Sequence, residues 1–213
     1  MSGIGIAFLS SVIALNVFFP LSGGKKDFNY WFQKGISAEK SDDKIEYFTE
    51  AIKSWEVSSG VGIKAEAYYN RGVAYGMRTS YNDAINDFSE AIKLNLKYAE
   101  SYAARGNVYY CKGSLDNAVY DYNRAIELNP NLAGAYNNRG IVYDDKSMYN
   151  EAISDYTRAI MLKPGYAKAY RNRGVSYYKK GFLTEAKRDF ETAKQEGLIT
   201  ISNTASLDTE IMK

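Results

Sequence analysis

The chain contains no histidine, which removes the commonest general base and the commonest metal ligand. It has a single cysteine, Cys111, so no internal disulfide forms and cysteine usage says little about redox compartment. A charge excess is also missing. The 27 Lys and Arg residues nearly balance 25 Asp and Glu, leaving a formal net charge of +2. Without a basic surplus or a basic stripe, the electrostatic footprint of a nucleic-acid binder is lacking. No acid–base constellation and no metal-ligand spacing stand out, so neither an enzyme, a metal site nor a cofactor is expected. What is present is 46% hydrophobic and 24% charged sequence, enough for a core and too little charge for a disordered polyelectrolyte. Tyrosine is over-represented, at 20 residues.

Position accounts for most of these tyrosines. Arg-Gly recurs at Arg71-Gly72, Arg105-Gly106, Arg139-Gly140 and Arg173-Gly174, each 34 residues after the last. Segments starting at Ala65, Ala99, Ala133 and Ala167 superpose along their length. Position 4 is Tyr68, Tyr102, Tyr136 and Tyr170, and position 8 is the glycine. Position 11 is Tyr75, Tyr109, Tyr143 and Tyr177, and position 20 is Ala84, Ala118, Ala152 and Ala186. Position 24 is Phe88, Tyr122, Tyr156 and Phe190, and position 27 is Ala91, Ala125, Ala159 and Ala193. Pro130 and Pro164 fall at position 32.

Two amphipathic helices per repeat follow. The 4-8-11 spacing puts rings and one small residue on one face of the first helix, and 20-24-27 does the same on the second. Lys112-Gly113-Ser114 and Lys180-Gly181 mark the turns between them. One such unit cannot bury both faces alone, so neighbours must stack.

In length and in its Gly, Tyr, Ala, aromatic and Pro positions the pattern resembles the tetratricopeptide-repeat (TPR) consensus. The resemblance is strong over 65–198, as repeats 65–98, 99–132, 133–166 and 167–198. It extends weakly over 28–64, where Trp31, Gly35, Phe48 and Ala51 fit positions 4, 8, 24 and 27. There the hairpin turn is shortened and the link 54–64 lengthened, as in a divergent first repeat. The array ends where Lys194 and Glu196 replace the apolar residues of earlier repeats, such as Ile160 and Leu162, as a capping repeat requires. The tail 199–213 reads as loosely attached or disordered. The resemblance implies an all-α fold: a TPR solenoid, a right-handed superhelix of antiparallel helix pairs, behind an apolar N-terminal helix.

That N-terminal segment, 1–24, holds an uncharged apolar run over 4–21, followed by Lys25-Lys26. About 18 residues is the lower end of a membrane span and longer than a usual signal-peptide core. An uncleaved anchor, a cleaved signal and a helix folded on the first repeat all remain open. The expected localisation is membrane-anchored or exported, with the side undecided and cytoplasmic as the alternative.

In the TPR family the first helix of each repeat lines a concave groove, at positions 2, 5, 9, 12 and 13. The resemblance therefore implies a peptide-binding groove containing Tyr69, Asn107, Tyr110, Asn137, Asp144, Lys168, Arg171 and Tyr178. These positions differ between repeats while the packing positions stay nearly constant. Tyr69, Tyr110 and Tyr178 are read as exposed anchors. One family subclass clamps a C-terminal carboxylate. Asn107, Asn138 and Lys168 match its positions, whereas Ala103 and Asn172 depart from it, so the match is partial. The arginines at position 7 have partners at position 23, Asp87, Asp121, Asp155 and Asp189, and read as Arg–Asp pairs within or between repeats rather than a phosphate site. Exposed, such pairs contribute about 0.2–1 kcal/mol each. Cys111 reads as half-buried and unreactive. The implied function is a scaffold binding a partner peptide or helix, with oligomeric state open. The alternatives are a self-associating envelope component and a regulatory subunit or fragment of a TPR-containing transferase.

Overall fold

Four helix pairs begin with a helix whose glycine, Gly35, Gly72, Gly140 or Gly174, meets a ring. In the computed structural model, which describes residues 26–56 and 60–197, a Cβ added at Gly72 would lie 2.9 Å from the Phe88 ring, and at Gly140 2.7 Å from the Tyr156 ring. No side chain fits there, so the two helices cross with backbone against ring. Gly35 faces Phe48 in the same way, at 2.7 Å.

Ten helices and no strand occur among the described residues: α1 (Phe28–Ser37), α2 (Ser41–Lys53), α3 (Val61–Met77), α4 (Tyr81–Leu94), α5 (Ala99–Cys111), α6 (Leu115–Leu128), α7 (Ala133–Asp145), α8 (Tyr149–Leu162), α9 (Ala167–Lys179) and α10 (Leu183–Gln195). They form two compact units, one ending at Asn117 and one beginning at Ala118, inside α6. Within the first unit α1 pairs with α2, α2 with α3, α3 with α4 and α4 with α5. Within the second, α7 pairs with α8, α8 with α9 and α9 with α10. The expected apolar N-terminal helix and the tail 199–213 lie outside the described residues.

The turns inside the pairs share one geometry. After α3, α5, α7 and α9 the chain passes through positive φ at Thr79 (59°), Gly113 (75°), Ser147 (59°) and Gly181 (82°). The amides of Thr79 and Ser80 donate to the carbonyls of Gly76 and Tyr75, each at 3.0 Å. This is the Schellman closure, which satisfies the last carbonyls of a helix. Glycine meets the left-handed requirement without strain, whereas Thr79 and Ser147 do not.

One boundary differs from the expectation. α3 starts at Val61 rather than Ala65, because Val61–Lys64 continue in helical phase and Ile63 packs on the cluster of Phe28, Phe48, Ala51 and Ala67. Burial of an apolar side chain outweighs the weak helix preference of the linking sequence.

Candidate peptide-binding surface

The arginine at position 7 organises each first helix. Arg71 donates from Nε and Nη2 to both oxygens of Asp87 at 2.7 Å. Arg139 does the same with Asp155 at 2.7 and 2.6 Å, and Arg173 with Asp189 at 2.7 and 2.8 Å. These pairs lie within one repeat. The remaining Nη1 reaches back one repeat: Arg71 to Thr49 Oγ1 (3.0 Å), Arg105 to Ser89 Oγ (2.8 Å), Arg139 to Asn123 Oδ1 (2.6 Å) and Arg173 to Thr157 Oγ1 (3.0 Å). One residue thus closes its own hairpin and fixes the stacking of its neighbour.

The tyrosines at positions 4 and 11 flank that guanidinium. Arg139 lies 5.6 Å from the Tyr136 ring centroid and 5.8 Å from that of Tyr143. Arg71, Arg105 and Arg173 repeat the arrangement on their own tyrosines. One helical turn on either side of position 7 places both rings over the cation, where the ring quadrupole attracts it. The tyrosine richness therefore serves a cation–π clamp as well as the core. The Arg71 and Asp87 side chains are 16% and 6% exposed, so the pair is largely shielded from water. Burial pushes the Asp87 and Asp155 carboxyls above the usual carboxylate range, against the pull of Arg71 and Arg139. Both guanidiniums are held above their ordinary value by the same carboxylates. The bidentate geometry keeps each pair ionised at neutral pH.

With position 7 engaged in the scaffold, the inner positions remain. In the first unit, Tyr69 was expected to be exposed. It is only 9% exposed, with its ring 5.7 Å from Phe88 and 5.2 Å from Tyr98. Tyr98, in the link to α5, covers it, so Tyr69 belongs to the core. Asn107 is buried and Tyr110 half-buried. Cys111 is exposed rather than half-buried. Partial desolvation pushes its thiol up, with a hydrogen bond to Tyr81 opposing, so the thiol is not activated.

In the second unit α7 touches α9, and polar side chains join them. Asn172 Nδ2 donates to Asn137 Oδ1 at 3.1 Å, and Asn137 Nδ2 to Asn138 Oδ1 at 3.0 Å. Asn137 is only 3% exposed, which makes it an internal link rather than a contact residue. Asp144 is half-buried and accepts from Ser176 Oγ (2.8 and 2.9 Å) and from Tyr156 Oη (2.9 Å). Burial raises its carboxyl despite both hydrogen bonds. Asp144, expected as a groove contact, is spent on seating α9 against α7 and α8. Sequence reasoning missed Ser176, although position 10 is Ala74, Val108 and Val142 in the other repeats. Lys168 is exposed, and Asn138, Arg171 and Tyr178 are half-exposed. Of these four, Asn138 already accepts from Asn137.

Among the described residues no group of His, Cys, Asp and Glu side chains could hold a metal ion, and no helix is long and apolar enough to cross a membrane.

Family models describing the TPR repeat match residues 106–147 and 145–181, and one describing the tetratricopeptide repeat matches 65–98. No curated protein sequence matches the chain. Among solved structures, a crystal structure of MamA shares 29% identity over 75% of this chain and 95% of its own, with a TM-score of 0.62. MamA residues 41-end from Desulfovibrio magneticus RS-1 share 18% identity over 79% of this chain and 92% of that one, TM-score 0.68. YrrB, described as a TPR protein with an unusual peptide-binding site, shares 23% identity over 86% and 89%, TM-score 0.66. The last two carry the fold alone.

Proposed function

The chain belongs to the tetratricopeptide-repeat family, and from that premise we propose that it is a non-catalytic adaptor that holds a partner peptide or helix against its inner helices. The observation that carries this reading is a division of labour among positions. The position-7 arginines, their aspartates, the glycines and the packing rings are committed to the scaffold, whereas the positions of Lys168, Arg171 and Tyr178 vary from repeat to repeat and keep exposed surface, with Asn138 half-exposed beside them. A rigid surface offering an amide, two cations and a low-entropy ring suits an extended or helical segment bearing acidic or carboxylate groups. Its preformed backbone leaves the ordering cost on the ligand's side. The peptide-binding site that describes YrrB lends this reading support by analogy of fold. We propose further that residues 28–64 act as a divergent first repeat and that the apolar run 4–21 is a membrane tether rather than a cleaved signal or a helix folded on the first repeat. No nucleic acid is involved.

The test is crosslinking from the native host with the full chain and with a Lys168→Ala/Tyr178→Ala variant. Partners recovered with the wild type and lost with the variant, at unchanged helicity, support the adaptor. Partners retained by the variant remove the inner surface from the reading. Recovery of copies of the chain alone replaces it with self-association through the outer helices. There Tyr120 and Met161 are 61% and 66% exposed.

A further inference from the structure

The first helix pair departs from the arginine clamp. At position 7 it carries Lys34, and at position 23 Tyr47 instead of aspartate. The ion pair is replaced by rings. Lys34 Nζ lies 5.6 Å from the centroids of both Tyr30 and Tyr47, and Lys26 Nζ lies 5.3 Å from that of Trp31. Trp31 stacks on Tyr47 at 6.0 Å and meets Tyr30 edge-on at 5.0 Å. The three rings are half-buried and both lysines exposed. In α3, α5, α7 and α9 the position-7 arginine reaches back to the pair before it. No described helix precedes α1, so among the described residues no such neighbour covers this face.

What covers it is constrained by charge and by chain length. An apolar helix laid on the face would bury two ammonium groups without carboxylate partners, a costly arrangement. A water–hydrocarbon interface imposes no such cost, because tyrosine, tryptophan and lysine each combine an apolar body with a polar tip. The apolar run ends at Leu21, and the seven residues to Phe28 span at most about 25 Å. If the run is embedded, α1 is held beside the headgroup layer, which is about 5–7 Å thick on each side. Of the four acidic groups of α2, Asp42 pairs with Arg78 and Glu50 with Lys53, while Asp43 and Glu46 add local repulsion from lipid phosphates that Lys26 and Lys34 must outweigh.

Resting on the tether reading, we propose that Tyr30, Trp31 and Tyr47, with Lys26 and Lys34, form an interfacial belt that seats the first helix pair on the lipid headgroup layer. The rings enter the glycerol region, and the lysines reach phosphate oxygens. The tether then becomes a fixed mount rather than a loose leash, holding the first helix pair against the bilayer.

Trp31 and Trp55 are the two tryptophans of the chain, so each can be made the sole reporter. The full chain carrying Trp55→Phe is mixed with vesicles of phosphatidylcholine and phosphatidylglycerol and floated on a density gradient. The expected result is flotation, a blue shift of Trp31 emission, and stronger quenching by lipids brominated near the glycerol than at the chain end. Lys34→Glu in that background should still float but lose most of the quenching. The Trp31→Phe chain, reporting through Trp55, should float without a shift. Flotation with Trp31 emission unchanged overturns the belt and leaves the tether standing. Equal quenching of Trp31 and Trp55 also overturns it, since no particular face is then seated. Failure to float overturns the tether, and the belt falls with it.

Discussion

Ser101 shows how a single position can break the repeat's own rule. Position 3 is alanine at Ala67, Ala135 and Ala169, each buried in the helix crossing. Ser101 is fully buried there, and its hydroxyl has no hydrogen-bond partner among the described residues. An unsatisfied buried hydroxyl costs about 1–3 kcal/mol. Ser101→Ala should therefore stabilise the protein by about 1 kcal/mol and raise the denaturant midpoint at constant slope; a lower midpoint refutes the accounting. Asp144 offers a test by pH. Burial holds its folded carboxyl above the ordinary value of 3.8, so its contribution to stability is complete below that value and is lost as pH rises through the raised one. Asparagine keeps the acceptor without the charge. Asp144→Asn should gain stability relative to the wild type as pH rises from below 4 toward neutrality. Chemical denaturation across that range decides it, and a pH-independent difference contradicts the assignment.

At the scale of the element, the helix hairpin owes its closure to two features of different visibility. The turn is one. Thr79 occupies the left-handed position that Gly113 and Gly181 take in other repeats, and a β-branched residue there carries about 1–3 kcal/mol of strain. Glycine adds unfolded-state entropy of its own, so Thr79→Gly should stabilise the protein by a net of about 0.5–1 kcal/mol, read as a higher melting temperature. A fall would mean that the Thr79 side chain makes compensating contacts. The arginine clamp is the other. Arg139→Ala leaves Asp155 buried and uncompensated, and the rings of Tyr136 and Tyr143 lose the cation they flank. That should cost about 3–5 kcal/mol. Arg139→Lys should recover only part, because an ammonium cannot donate to Asp155 in the forked geometry while also reaching Asn123. Thermal melts of both variants test the ranking. The Arg–Asp pairing was legible in the sequence from four aspartates at position 23. The cation–π clamp was not, because the tyrosines at 4 and 11 also satisfy an ordinary core pattern, and only coordinates show which way their rings lie.

For the molecule as a whole, the stacked helix pairs within each unit separate scaffold from surface. Stability in such arrays is roughly a sum over repeats and their nearest-neighbour interfaces. Substitutions at exposed inner positions should therefore leave it nearly untouched. Lys168→Ala with Tyr178→Ala should keep helicity and shift stability by no more than about 0.5 kcal/mol while removing the bound partner. A large loss of stability would place Tyr178 in the scaffold instead. The helical class, the 34-residue period and the pairing of glycine with a ring were determined by the sequence itself, because they follow from spacing along a helix face and from volume at a crossing. Which inner residues stay free was decided only by the tertiary structure. Tyr69 lies under Tyr98, Asn137 is held by Asn172 and Asp144 by Ser176. Each of these partners comes from another repeat or from a link between repeats. A periodic pattern names the face a side chain occupies, whereas its burial depends on what the neighbouring repeat places over it.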